Sequence, residues 1–367
     1  MHNKLSAERF VFDSYLYIED VSVTRLNSII AHSIFAKTPS SRSPMNSILR
    51  APYDLVRPLY ERSSFHRSVI EELPDTRLQT AYTHCRCITR DYAKTFYMAT
   101  RFLPNEKQRS IFAIYTLCRY VDNLVDDHQD LLQNQESNTY TPLEKLDSFK
   151  ETLAEAYEGR QMDDPVLTAI TDSLLSSGIP LRYPLELISG VEMDLVKNRY
   201  QTFEEVYDYS YKVASVVGLM TSEVFGYKES KALSHAVDLG IAMQLTNILR
   251  DVGEDLNRDR IYLAKDELEK FDLTEADLFQ HNLSEKFIAF MKFQIERTQE
   301  YYESAKQGVN MLSRDSRLPV WLALENYSRI LTKIEQNGYD VFSQRAHLTS
   351  AEKFSILPRI LYRLQRA

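Results

Sequence analysis

From Leu78 to the C-terminus, apolar residues recur at the three- and four-residue steps of helices, while Val, Ile and Thr never gather into alternating runs joined by hairpin turns. The spacing predicts a first helix through Cys85 to Phe102. Pro104 suits the first turn of a second, which passes Tyr115 toward Asp127 and gives way to a polar loop from His128 to Tyr140. Thr141-Pro142-Leu143-Glu144 is a strong helix start, with a capping threonine, proline in the first position and glutamate in the third. Asp164-Pro165 and Thr202-Phe203-Glu204-Glu205 are starts of the same kind. Gly178-Ile179-Pro180 and Gly226 read as breaks, a long apolar-periodic run begins near Ser230, and Gly338 comes near the end of a helix containing Trp321 to Ile334. No repeat of fixed period is present. The pattern predicts a single all-α domain with a central cavity between helices.

Residues 1–75 read differently, as an N-terminal extension to a domain over 76–367. Apolar and charged residues mix there without a clean period, and Thr38-Pro39-Ser40-Ser41-Arg42-Ser43-Pro44 is a turn-rich, linker-like break. A mobile arm, a membrane-surface arm and a removable targeting segment all fit. Glu8, Asp13, Glu19 and Asp20 weigh against the last, because transit peptides are poor in acids.

Two helical faces depart from apolar periodicity in the same way. Gln244, Asn247, Asp251 and Asp255 stand at steps of three, four and four, so one face of a helix carries two amides and two carboxylates. Tyr115, Arg119, Asp122 and Asp126 stand at steps of four, three and four. A buried carboxylate without a counter-charge costs several kcal/mol, of order 3 or more, so something cationic is expected beside such faces. Two of them across one pocket would offer four carboxylates to Mg²⁺, a hard ion that takes oxygen ligands and completes its shell with water and substrate phosphates.

Composition narrows the function. Only 9 of 367 residues are glycine and 44% are hydrophobic, as suits a helical protein with a sizeable core. A formal charge of -8 argues against general nucleic-acid binding. Cys85, Cys87 and Cys118 form no CxxC pair, which points to a reducing compartment and no zinc site. No run of 18 apolar residues occurs and no secretory signal is evident, so neither a membrane span nor secretion is expected. The C-terminal Arg359-Ile360-Leu361-Tyr362-Arg363-Leu364-Gln365-Arg366 is basic and amphipathic. Peripheral contact with an anionic membrane is one reading of it, and a solvated terminal helix is the favoured alternative.

Five ordered motifs resemble the squalene/phytoene synthase family, on its phytoene synthase side. They are Tyr92-Ala93-Lys94-Thr95-Phe96-Tyr97, the Tyr115-to-Asp126 face, Tyr211 through Met220, Gln244 through Asp255, and Arg258-Asp259-Arg260-Ile261-Tyr262-Leu263. The resemblance implies the all-α isoprenoid synthase bundle. It makes Asp122 and Asp126 the first metal-binding pair, and Asp251 and Asp255 the second. It places Tyr115, Arg119, Arg250 and Tyr262 around the diphosphates, with Arg258 and Arg260 on the loop beyond them. It puts Gln244, Asn247, Thr95 and Phe96 on the walls that meet substrate, and Tyr211 and Gly218 on a helix built for close approach.

The implied reaction joins two geranylgeranyl diphosphates head to head. An allyl cation formed by loss of one diphosphate is trapped by the other chain's double bond, giving the cyclopropane prephytoene diphosphate. Loss of the second diphosphate, rearrangement and proton loss give phytoene. Mg²⁺, with Mn²⁺ as substitute, is the implied cofactor, isoprenoid diphosphates are the substrates, and no NADPH is expected. The implied setting is a cytoplasmic or plastid-type compartment. The alternatives are a dehydrosqualene or squalene synthase using farnesyl diphosphate, and a non-catalytic family member acting as an assembly factor. Three positions depart from the family pattern, with Asp259 and Ser215 in place of glycine and Ala264 in place of proline. Asp259 falls in an expected loop over the active site, where aspartate takes left-handed geometry less readily than glycine.

Overall fold

The computed structural model describes residues 64–134 and 140–366, and helices carry nearly all of it. In chain order they are α1 (Ser64–Glu71), α2 (Thr76–Tyr92), α3 (Lys94–Thr100), α4 (Asn105–Asn134), α5 (Pro142–Tyr157), α6 (Pro165–Ser176) and α7 (Arg182–Val196). Then come α8 (Phe203–Ser210), α9 (Val216–Phe225), α10 (Lys231–Leu256), α11 (Lys265–Lys270), α12 (Glu275–Phe279) and α13 (Glu285–Val309). The last are α14 (Arg317–Gln336), α15 (Ser350–Ser355) and α16 (Leu357–Arg366).

Two of the three start signals cap as their chemistry dictates, while Thr202 stands at the N-cap of α8 with no side-chain capping bond. Thr141 accepts from the Glu144 amide while Glu144 reaches back to the Thr141 amide, a complete capping box with Pro142 behind it. Asp164 caps α6 by accepting from the Leu167 amide at 2.9 Å. Gly178, Gly226 and Gly338 all take positive φ at helix ends, where a side chain would be strained.

Three expectations need correction. The helix through Cys85 stops at Tyr92 and resumes only as α3, because Ala93 leaves helical geometry at φ -132°. One turn earlier the Thr89 hydroxyl bonds back to the Cys85 carbonyl at 2.8 Å, a contact that tends to bend helices. The expected polar loop from His128 is helical as far as Asn134, with no glycine or proline to break it, and 135–139 lie outside the described residues. Finally, a two-stranded parallel sheet joins β1 (Arg199–Tyr200) to β2 (Ile261–Ala264). Strands this short offer no alternation to read.

Helix α10 is the spine, buried along most of its length against α13, α14 and the 203–225 helix. That last helix is continuous except for one π turn over Tyr211–Ser215. The crossing with α10 is very close: a Cβ on Gly240 would lie 2.4 Å from the Ser215 Cα. Ser215, where the family pattern has glycine, gives its hydroxyl to the Val237 carbonyl of α10 at 2.8 Å, so the room is supplied from Gly240's side. Gly218 repeats the device, since a Cβ there would stand 2.9 Å from the Ala236 carbonyl oxygen.

Residues 1–63 of the expected extension lie outside the described residues, but α1 and the turn to Asp75 are packed on the bundle. Val69 and Ile70 are buried in a small cluster with Tyr82, Cys85 and Phe112. Arg109 of α4 donates to the Val69 carbonyl at 2.7 Å and pairs with Glu72. At the other end α16 docks on α14, with Ile360 buried, Arg363 over the Trp321 ring at 4.3 Å and Leu361 and Tyr362 exposed. No helix among the described residues is long and apolar enough to cross a membrane.

Truncating Ile70 to alanine is expected to destabilise the protein by about 2–4 kcal/mol, the range for a buried aliphatic side chain, read as a lower urea midpoint. Removal of residues 1–63 should leave that midpoint in place, and removal through residue 75 should lower it. An unchanged midpoint for Ile70→Ala would show that α1 is no part of the fold.

Candidate active site

A cavity enclosing about 1110 Å³ of unfilled space, its open mouth included, runs between α4, α9, α10, α13 and α14. Its lining is almost wholly apolar, including Ile111, Ile114, Val217, Leu239, Met243 and Val309. The aliphatic hydroxyls of Thr100, Thr221 and Ser222 on its wall are self-satisfied: Thr100 bonds the Tyr97 carbonyl, and Thr221 and Ser222 both bond the Gly218 carbonyl. They therefore line a hydrocarbon-like space without presenting unmet hydrogen bonds to it.

Polar groups gather beyond one end. On α4, Tyr115 lines the cavity, and Arg119 and Asp122 follow in the next two turns. Phe96 lies at the same end, its ring 5.9 Å from that of Tyr115. The Tyr115 hydroxyl is buried without a partner, and burial pushes its ionisation well above the ordinary phenol range despite the Arg119 charge. Arg119 sits 3.4 Å from Asp122 with both side chains nearly buried, and its guanidinium lies 5.0 Å from the Tyr92 ring centre. Asp126 and Thr95 stand on α4 and α3, and their side chains lie outside the described ones.

On α10, Met243 lines the cavity and the expected polar face follows it. Asn247 donates to Gln244 at 3.3 Å and accepts from the Tyr327 hydroxyl of α14. Asp251 is only 7% exposed and lies between two guanidinium groups. Arg250 bonds it at 2.8 and 2.6 Å, and Arg345, from the segment after α14, at 2.8 and 3.1 Å. Burial alone would raise the Asp251 carboxyl, but the Arg250 and Arg345 charges overcome this and hold it well below the usual range. Lys353 is half-buried near Arg250, and burial first, then that charge, pushes its ammonium down to about 8. Asp255 is half-buried one turn beyond Asp251.

The expected closing loop is better anchored than the sequence suggests. Arg258 is exposed, but Arg260 is buried and donates to the Asp194 carbonyl at 2.9 Å. The Tyr262 hydroxyl donates to the Asp194 carboxylate at 2.6 Å and Tyr209 to its other oxygen at 3.1 Å. The rings of Tyr200 and Tyr209 stack on Tyr262, with centroids 5.6 and 5.0 Å away. Residues 261–264 are strand β2 and not loop. Asp259 does take the left-handed conformation, at φ 55°. Arg199 holds it there, donating to its carboxylate and its carbonyl at 2.6 Å each, while a further donor on Arg199 binds Glu275. Tyr211 begins the π turn, half-buried beside Glu186 and away from the Asp251 cluster; burial, then that carboxylate, raises its phenol.

Sequence reasoning missed Arg345, Asp194 and Tyr327. Arg345 meets its partner across 94 positions and Asp194 meets Tyr262 across 68, so no local spacing announces either.

An apolar cavity with buried carboxylates and guanidinium groups at one end defines a class of protein that handles a long hydrocarbon bearing an anionic head. Comparisons with known proteins specify it further. The family model for squalene/phytoene synthase matches residues 89–352. A 15-cis-phytoene synthase from Synechococcus elongatus is 41% identical over 298 residues, covering 78% of this chain and 94% of the relative. Phytoene synthase 1, chloroplastic, from Solanum lycopersicum is 36% identical over 385 residues, covering 98% of this chain and 91% of the relative. A solved dehydrosqualene synthase superposes with a TM-score of 0.71 at 25% identity over 79% of this chain and 98% of that one. A squalene synthase from Alicyclobacillus acidocaldarius gives 0.67 at 22% over 74% and 98%, a likeness of fold.

The chain belongs to the squalene/phytoene synthase family. It is a prenyltransferase of the phytoene synthase type, acting on isoprenoid diphosphates, in a family that generally uses a divalent metal.

The Arg199 clasp on Asp259 is testable. Arg199→Ala is expected to cost about 1–3 kcal/mol, the worth of hydrogen bonds to charged groups. Adding Asp259→Gly should recover part of the loss, since glycine takes positive φ without strain. Denaturation of both single variants and the pair gives the coupling; strictly additive losses would show that Arg199 does not hold this turn.

Proposed function

We propose that this enzyme joins two molecules of geranylgeranyl diphosphate head to head, through prephytoene diphosphate, to phytoene. The observation that carries the reading is an apolar cavity that ends on α10 at Met243, followed farther along the same helix by Asp251 buried between Arg250 and Arg345. A prenyl diphosphate has the same succession of apolar length and charged end.

Asp251, kept ionised at a nearly buried position, and Asp122, a second buried carboxylate, are oxygen donors of the kind a hard divalent ion takes, although among the described residues no three such ligands stand together and Asp251 is held by Arg250 and Arg345. Asp122 and Asp126 would hold one cluster and Asp251 and Asp255 the other, with Mg²⁺ the preferred ion and Mn²⁺ a substitute. Bound there, the metal supplies Lewis-acid neutralisation of a departing diphosphate. Arg119, Arg250 and Arg345 bring positive charge to phosphate oxygens, Arg250 through the Nη1 that its pairing with Asp251 leaves without a partner, and Arg258 and Arg260 extend that charge along the following turn. Gln244 and Asn247 orient the head group, with Tyr327 fixing the Asn247 amide. Tyr115 and Phe96 form an aromatic wall where the first allyl cation develops, and the unpaired Tyr115 hydroxyl lies ready for a polar partner. Tyr262 keeps the second acidic helix end in register through Asp194, and Tyr211 holds the π turn beside the wall. The apolar lining excludes water, which would quench the cations to alcohols. Proton loss ends the sequence, so no NADPH enters the balance.

Leu361 and Tyr362, exposed on α16 beside Arg359, suit peripheral contact with an anionic membrane to which a hydrocarbon product passes. The plant relatives' names carry the word chloroplastic, and a cytoplasmic or plastid-type compartment fits the free cysteines.

Purified protein is expected to convert labelled geranylgeranyl diphosphate to phytoene without NADPH, to lose activity in EDTA and to regain it with Mg²⁺ or Mn²⁺. Product from farnesyl diphosphate alone would favour the dehydrosqualene reading. Absence of product from either, with the protein folded, would favour a non-catalytic role.

A further inference from the structure

A histidine lines the end of the cavity away from the charged cluster. Lys107, in the first turn of α4, bonds the Phe225 carbonyl at the end of α9 and the Asp315 carboxylate before α14. The N-terminal ends of α4 and α14 and the C-terminal end of α9 therefore meet at one end of the bundle. Ala232 and His235, at the start of α10, line the cavity together with Phe225 and Leu312. Asp122 and Asp251 both lie in the C-terminal direction from there.

His235 is 7% exposed and lines this apolar space. Its Nδ1 stands 3.1 Å from the Ser304 hydroxyl, which itself donates to Asp238 at 2.5 Å. With its own proton committed to Asp238, the Ser304 oxygen accepts from His235 Nδ1, and the Asp238 carboxylate stands 4.0 Å from that nitrogen. The His235 Nε2 is buried and has no partner. A Cβ on Gly308 of α13 would fall 2.3 Å from the His235 Cβ, so the root of the side chain is wedged between helices. A ring fixed at both its root and its Nδ1 does not swing aside easily.

Resting on the phytoene synthase reading, we propose that His235 is the floor of the prenyl-chain cavity and sets the length of hydrocarbon the enzyme accepts. His235 and Asp251 are sixteen residues apart on one helix, a span of about 24 Å at helical rise. An isoprene unit adds four main-chain carbon–carbon bonds, about 5 Å when extended at ordinary bond lengths. A 20-carbon chain thus spans about 20 Å and leaves room for its diphosphate near Asp251. A 25-carbon chain would drive a methyl terminus onto the fixed ring. A 15-carbon chain would leave the floor untouched.

The test is competition among all-trans 15-, 20- and 25-carbon diphosphates with the full-length protein, products separated by mass. Wild type should prefer 20 carbons. His235→Ala should raise kcat/KM for 25 carbons relative to 20 by about tenfold or more, as expected when a pocket is opened by several heavy atoms. His235→Trp should shift preference toward 15 carbons by a similar factor. If the alanine variant fails to fold, His235→Asn, which retains a donor for Ser304, serves for the same comparison. A ring that merely braced α10 against α13 would change all three rates together. Unchanged ratios in folded variants would overturn the proposal while leaving the reaction intact, whereas a wild type inactive on every substrate would overturn the underlying reading.

Discussion

The placement of one carboxylate between two guanidinium groups governs this site. Asp251 is buried, where an unpaired charge would be costly. Arg250 and Arg345 make its burial tolerable, and they do so from different parts of the chain, one its neighbour and one 94 residues on. The second contact ties the segment after α14 across the end of α10; close by, a Cβ on Gly253 would lie 2.7 Å from the Phe342 carbonyl oxygen. The charged end of the cavity is thus a product of tertiary structure, although the acids themselves are arranged by a single helix.

Close helix crossings make the cavity long enough to matter. Gly218, Gly240 and Gly308 each stand where an added Cβ would come within 3 Å of a facing helix. Backbones that approach so closely at these points leave space between them elsewhere. The π turn at Tyr211–Ser215 lies opposite Gly240, so the irregular turn and the missing side chain occupy the same crossing. Ser215 adds a hydrogen bond where the family pattern has only space, and Asp259 adds a carboxylate that Arg199 holds. Two of the three departures from the family pattern are thus matched by a partner in this chain.

The all-α architecture and the two polar faces were legible because helical spacing is local: steps of three and four suffice to put Gln244, Asn247, Asp251 and Asp255 on one face. Start signals such as Thr141 and Asp164 were legible for the same reason. What escaped was non-local. Asp194 gathers Tyr209 from one segment and Arg260 and Tyr262 from another, and nothing in its own neighbourhood distinguishes it from a solvated helix acid. The break at Ala93 depends on where the chain must turn to cover the bundle, and the strands at 199–200 and 261–264 pair across about sixty residues with too few positions to show a period.

The most direct test of the account asks whether the charged cluster holds diphosphate. Calorimetric titration with an unreactive geranylgeranyl thiodiphosphate, at fixed Mg²⁺, should show tight binding to the wild type. Arg345→Ala should weaken it by about tenfold or more, roughly 1.4 kcal/mol or above, with the protein still folded. Equal affinity in the two proteins would contradict the assignment of this cluster to the substrate's head group.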